Sequence, residues 1–172
     1  MVIPGHKVGK YGINIENIIH EIQIQPAGIE LTLREIEKFE DAGYIDLTNI
    51  KRKISKCTPL QFDADGKIFL PQGAYKVRFN EIISIPANVI GIGLPRSSLL
   101  RSGATIFSAV WDPGYKGRSE SLLVVFNPHG IFLEKNARLM QLLFIKLVEK
   151  PQKLYSGKYQ FENIKEKIRG LS

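Results

Sequence analysis

From about residue 58 onward, the sequence is cut at short intervals by residues that favour turns. Asp63-Ala64-Asp65-Gly66, Pro71-Gln72-Gly73 and Ile85-Pro86-Ala87-Asn88 each interrupt an apolar stretch. Pro fixes φ, Gly supplies positive φ and Asp or Asn bonds to its own backbone, so such clusters end a strand rather than continue a helix. Between them the apolar residues alternate, as Tyr75, Val77 and Phe79 do within 73–85, which places them on one face of a strand. Further strands are predicted at 89–94, 104–111, 121–127, 130–133 and 138–148. Regular short strands of this kind close into a barrel or stack as a sandwich. The expectation is an all-β fold, a distorted, jelly-roll-like β-barrel with one or two short helices.

The first third of the chain is less uniform. Residues 2–11 carry few apolar side chains and read as an arm that needs something to hold it. Ile15, Ile18, Ile19 and Ile22 recur at three and four residues, which predicts a short amphipathic helix over 13–24 with His20 on its polar face. At residue 29 the period changes to two, with Ile29, Leu31 and Leu33 facing one way. Residues 34–40 continue that strand, although Thr32 and Glu35 have the spacing of a helix capping box. A polar loop with at most one strand follows over 42–57. After Lys150-Pro151 core periodicity stops, so residues 1–150 are expected to form the barrel and 151–172 a C-terminal tail outside it.

Composition narrows the class of function. With 44% hydrophobic residues in 172, one core of ordinary size is available. No apolar run approaches the roughly 20 residues of a membrane helix. The start of the chain lacks the apolar core of a secretory signal and Cys57 stands alone, which predicts a cytoplasmic protein without disulfides. The net charge of +7 draws phosphates in general. Its basic residues are neither interleaved with a ladder of aromatics nor set on a recognition helix, which argues against nucleic acid and for a nucleotide.

Four polar spots interrupt the β pattern: Glu30 after Gly28; Arg96-Ser97-Ser98 directly after a Gly-spaced apolar run; Asp112-Pro113-Gly114-Tyr115; and Arg138 with Gln141. Guanidinium and hydroxyl groups bind phosphate oxygens, one carboxylate can face a hydrated metal, and another can act as a base. Taken singly, each has a plain structural reading as a solvated strand face, a surface ion pair or a turn residue.

Taken in order, AGIEL at 27–31, PRSSL at 95–99, WDPGYKG at 111–117 and RLMQLLF at 138–144 resemble the first four motifs of the trimeric dUTPase and dCTP deaminase superfamily, and residues 155–160 resemble the substrate-covering tail of its deaminase-like branch. The resemblance implies a homotrimer with active sites between subunits, a deoxynucleoside triphosphate substrate such as dUTP, and Mg²⁺ as cofactor. It implies Asp112 as the base that activates water for attack on the α-phosphorus. Tyr115 would be the ring that packs on the deoxyribose, and Arg96, Ser97 and Ser98 the phosphate-binding turn. Arg138 and Gln141 would support the site and the phosphates. Glu30 would meet the metal through water, and Lys158 and Tyr159 would close over the nucleotide.

Hydrolysis and deamination share this phosphate site and differ at the base. A deaminase of this family resembles the chain in PRSSL, in DPG and at Arg101, and also needs a Glu on the strand after the Asp112 turn. Counting forward from Asp112 places that position on Leu122, and counting back from Asn127 places it on Val124. Only Glu120, two residues away or about 7 Å along a strand, has the chemistry. The expected activity is therefore dUTP diphosphatase, giving dUMP and diphosphate. The alternatives are a dCTP deaminase, mono- or bifunctional, and a non-catalytic nucleotide- or nucleic-acid-binding protein of the same fold.

Overall fold

The computed structural model describes residues 1–164; the last eight residues of the expected tail lie outside it. In chain order the strands are β1 Asn14–Glu16, β2 Ile29–Phe39, β3 Cys57–Pro59, β4 Lys67–Leu70, β5 Gly73–Phe79, β6 Ile82–Ser84, β7 Val89–Pro95, β8 Ala104–Phe107, β9 Lys116–Gly117, β10 Glu120–Val125, β11 Ile131–Glu134 and β12 Arg138–Lys146. A short helix α1, Ser97–Arg101, joins β7 to β8, and 3-10 turns cover Gly5–Tyr11 and Glu21–Gln23. The main sheet runs β7-β12-β2-β5-β10-β8 with β3 on the far end of β2, and β1-β6-β9 and β4-β11 form smaller ribbons. Its outer strands β7 and β8 come back into contact, and just beyond β8 Gly91 pairs with Trp111. The result is the nearly closed, all-β barrel that the turn pattern predicts.

Inward residues of the alternating strands make the core: Ile29, Leu31, Leu33 and Ile36 on β2, Val77 and Phe79 on β5, Leu123 and Val125 on β10, Leu142 and Phe144 on β12. β2 runs on through Phe39 where a capping box was a rival reading, with a register shift between Leu33 and Glu35 that brings Ile36 rather than Glu35 into the core. Gly28 shows why the first motif needs its glycine. Its φ is +85°, and a Cβ there would lie 2.0 Å from the Leu142 carbonyl oxygen, a position that no side chain can take.

One expectation fails at the N-terminus. Residues 13–24 are not a helix: Asn14–Glu16 pairs with β6, and only Glu21–Gln23 coils, as a 3-10 turn. The isoleucine spacing was helical, but Ile18, Ile19 and Ile22 stay exposed. The buried residue is instead polar. The Gln23 amide donates to the Glu30 carbonyl (2.9 Å) and to the Glu81 carboxylate (2.6 Å). Glu81, fully buried, also accepts from the Thr32 N–H and hydroxyl, and its burial pushes the carboxyl above the usual range. The first residues find the hold that such an arm needs: Val2 bridges Ile145, the Ile3 N–H bonds the Phe144 carbonyl at 2.9 Å, and Ile3 is buried in the core.

Candidate active site

The Asp112 turn is built as its sequence requires. Pro113 and Gly114 occupy the two central positions, Gly114 has φ +86°, and the Tyr115 N–H closes the turn on the Asp112 carbonyl at 3.0 Å, the signature of a type II turn. Backbone bonds from Gly114 N–H to the Ile85 carbonyl (3.0 Å) and from Ile85 N–H to the Tyr115 carbonyl (2.8 Å) fasten it beside β6. Tyr115 is thereby driven inward to 6% exposure, while Asp112 is exposed. Among the described residues the Asp112 carboxylate has no hydrogen bond or ion pair.

Both residues line a cavity of about 400 Å³. Its walls combine the 107–111 segment after β8, the start of β10 with Glu120 and Leu122, and the tail residues Tyr155, Tyr159 and Glu162. The size suits a nucleoside, and the mostly apolar wall with a few polar groups is the usual make-up of a small-molecule site. Ile106 is buried in the core and does not line the cavity. The Trp111 indole N–H and the Ser121 hydroxyl, both from lining residues, are buried without a partner among the described residues.

Glu120 lies in the cavity wall, yet it is not a free acid. One oxygen accepts from Arg78 Nε (3.0 Å) and Nη2 (2.7 Å), and the other is 3.2 Å from Lys76 Nζ. Pairing of Glu120 with Arg78 and of Leu122 with Lys76 across β10 and β5 fixes this arrangement. Leu122, also in the wall, and Val124 hold the positions expected for a deaminase Glu.

The other motifs gather elsewhere. Glu30 on β2 is buried to 5% exposure, with one carboxylate oxygen 2.5 Å from Arg96 Nε and the other 2.7 Å from Arg138 Nη1. Arg96 also reaches the Arg138 carbonyl at 3.3 Å. Gln141 stands opposite Glu30 in the ladder and donates to the Ala27 carbonyl at 2.6 Å. Ser97 and Ser98 are exposed on the first turn of α1, which Leu99 anchors in the core. The structure thus brings Glu30, Arg96, Ser97, Ser98, Arg138 and Gln141 to one end of β7.

Asp112 and Tyr115 sit at the other end of that strand. Gly91 pairs with Trp111, and Arg96 is five residues further along, so the two groups are about 16 Å apart along β7. One chain therefore presents the candidate residues as two separated groups, each a candidate half-site.

Glu30 was expected to meet the metal through water. Both of its oxygens are taken up by guanidinium groups, and no cluster of three His, Cys, Asp or Glu able to hold a metal occurs among the described residues. The described residues do not form a resident Mg²⁺ site within one chain.

The tail was expected to lie outside the barrel and to cover the nucleotide. It returns along 113–118: Tyr155 N–H bonds the Pro113 carbonyl (2.8 Å), Phe161 N–H the Lys116 carbonyl (2.7 Å), and Arg118 N–H the Glu162 carbonyl (2.9 Å). The Gln160 amide spans Gly114 and Lys116. Tyr159 lines the cavity, with Arg52 5.9 Å from its ring centre. Lys158 is exposed, and Phe161 points away from the cavity wall. Glu162 was missed because a lone Glu in an aperiodic tail carries no local signal.

Comparison with known proteins agrees with the motif order. A family model described as dCTP deaminase-like matches residues 6–147. The chain is 57% identical over 150 residues to a probable deoxyuridine 5'-triphosphate nucleotidohydrolase of Methanosarcina mazei, covering 87% of this chain and 88% of that protein. It is 43% identical over 148 residues to the deoxyuridine 5'-triphosphate nucleotidohydrolase of Methanocaldococcus jannaschii, covering 86% and 93%. Its fold is similar to the crystal structure of 2'-deoxycytidine 5'-triphosphate deaminase from Agrobacterium tumefaciens, with a TM-score of 0.58 at 18% identity over 83% of this chain and 47% of that one. With the motifs, the barrel and these matches in agreement, the chain belongs to the dCTP deaminase-like family.

Proposed function

We propose that the protein is a dUTP diphosphatase. The observation that carries this reading is the exposed Asp112 carboxylate, without a partner among the described residues, at a nucleoside-sized cavity whose wall includes the buried Tyr115. Relatives named as deoxyuridine 5'-triphosphate nucleotidohydrolases at 43% to 57% identity support the same substrate. Asp112 takes a proton from a water, the water oxygen bonds to the α-phosphorus, and the bond to the bridging oxygen breaks to release diphosphate and dUMP. Arg96, Ser97, Ser98, Arg138 and Gln141 take the triphosphate, Tyr115 faces the deoxyribose, and Lys158 and Tyr159 lie on the covering tail. Mg²⁺ is part of the substrate, neutralising the triphosphate as it binds. Glu30 orients the two arginines.

Because the half-sites sit at opposite ends of β7, a complete site takes Asp112 from one subunit and Arg96 from another. A homotrimer closes that arrangement with three equal sites. The free thiol of Cys57 suits a reducing compartment such as the cytoplasm. Among the described residues no helix is long and apolar enough to cross a membrane.

Deamination of dCTP is the second reading, favoured by the presence of Glu120 in the cavity wall. Its engagement by two cationic partners argues against this role, since both carboxylate oxygens are already occupied by Arg78 and Lys76. The test is to incubate the protein with Mg²⁺ and either dUTP or dCTP and resolve the products. Diphosphate from dUTP alone is the expected result. Release of dUTP or dUMP from dCTP would establish the deaminase reading, and turnover of neither would leave a non-catalytic binding protein.

A further inference from the structure

The tail does more than pass over the cavity. The Tyr115 hydroxyl donates to Glu162 Oε1 at 2.8 Å, and two backbone bonds bracket that carboxylate, Phe161 N–H to Lys116 and Arg118 N–H to Glu162. Asn163 adds a third tie, its amide donating to the Arg118 carbonyl at 3.1 Å. From the other side the Tyr155 ring meets Tyr115 edge-on, with centres 5.7 Å apart. Tyr115 is thus held at its backbone by the turn, at its ring by Tyr155 and at its hydroxyl by Glu162.

We infer that Glu162 is a positioning residue for Tyr115, and that by holding the phenol it sets how strictly the site rejects a ribose. The inference rests on the reading of Tyr115 as the ring that faces the sugar. Steric rejection of a 2'-oxygen requires a ring that cannot retreat, and displacement of about 1 Å is enough to weaken selection strongly. The turn alone fixes only the start of the side chain. Glu162 fixes its far end, and burial leaves the phenol no easy substitute partner in water. Burial also pushes the Tyr115 phenol up, so it remains a donor at every working pH. The carboxyl accepts through an oxygen in either protonation state.

The test compares unaltered protein with E162A, E162Q, Y115F and the double variant E162A/Y115F, measuring kcat and KM for dUTP and UTP. E162A is expected to lower the preference for dUTP over UTP by roughly tenfold or more, mainly through KM, because Asp112 is untouched. E162Q keeps an acceptor oxygen and should restore most of that preference. On the Y115F background, E162A should have little further effect, since the shared bond is already gone. The inference is overturned if E162A leaves the dUTP-to-UTP ratio unchanged, or if its effect adds fully to that of Y115F. Absence of dUTP turnover in the unaltered protein contradicts the proposed function instead. Melting temperatures of the same four variants and the unaltered protein then decide the tether: non-additive shifts support it and additive shifts contradict it.

Discussion

At the scale of single residues the account gives Asp112 and Glu30 opposite duties. Asp112 is exposed and without a partner among the described residues, whereas Glu30 is buried between two guanidiniums. D112N should keep dUTP affinity and lose turnover by about two orders of magnitude or more, the usual loss when a general base is removed; full activity would refute that role. E30Q weakens the hold on Arg96 and Arg138 and should raise KM for dUTP. It should not alter the Mg²⁺ concentration that gives half-maximal turnover, because Glu30 orients the arginines and does not hold the metal. A large shift in that concentration would return Glu30 to the water-mediated metal role.

Among the elements, the entry to β2 and the tail are where sequence and structure are most instructive. G28A should destabilise the protein by about 3 kcal/mol or more, since both the positive φ and the Leu142 carbonyl exclude a Cβ; a melting point near that of the unaltered protein would contradict this. Tail docking should depend on pH. Burial, with the Glu120 charge also raising it and the Tyr115 bond, Arg78 and Lys76 opposing, pushes the Glu162 carboxyl up to about 7. The docked state therefore holds the proton more tightly than the undocked one. That contribution is fully present below the ordinary carboxyl value and fades as pH rises through about 7. Hydrogen exchange should show less protection at the Phe161 and Arg118 amides at pH 8 than at pH 6, after normalising to β12, and E162Q should flatten the difference. Equal protection in the unaltered protein would contradict it. The barrel strands were legible because period two and turn residues are local properties. The 13–24 segment was misread because four isoleucines at helical spacing gave no hint that Gln23 bonds Glu81, 58 residues away. The site residues were legible as motifs, but the separation of Asp112 from Arg96 depends on the Gly91–Trp111 pairing, which no local pattern encodes.

For the whole molecule, the proposed function makes assembly a condition of activity, because the two candidate half-sites must come from different subunits. A homotrimer should scatter as about three times the 19.4 kDa chain. The central claim is that dUTP is hydrolysed where the Asp112 half-site of one subunit meets the Arg96 half-site of another. Its most direct test is complementation. D112N and R96A, each inactive alone, are co-expressed with different tags, and mixed assemblies are isolated and assayed for diphosphate release from dUTP. Each mixed trimer carries one unaltered site of three, so the isolated mixed assemblies should regain roughly a third of the activity of the unaltered protein. Mixed assemblies as inactive as their parents would contradict a site shared between subunits.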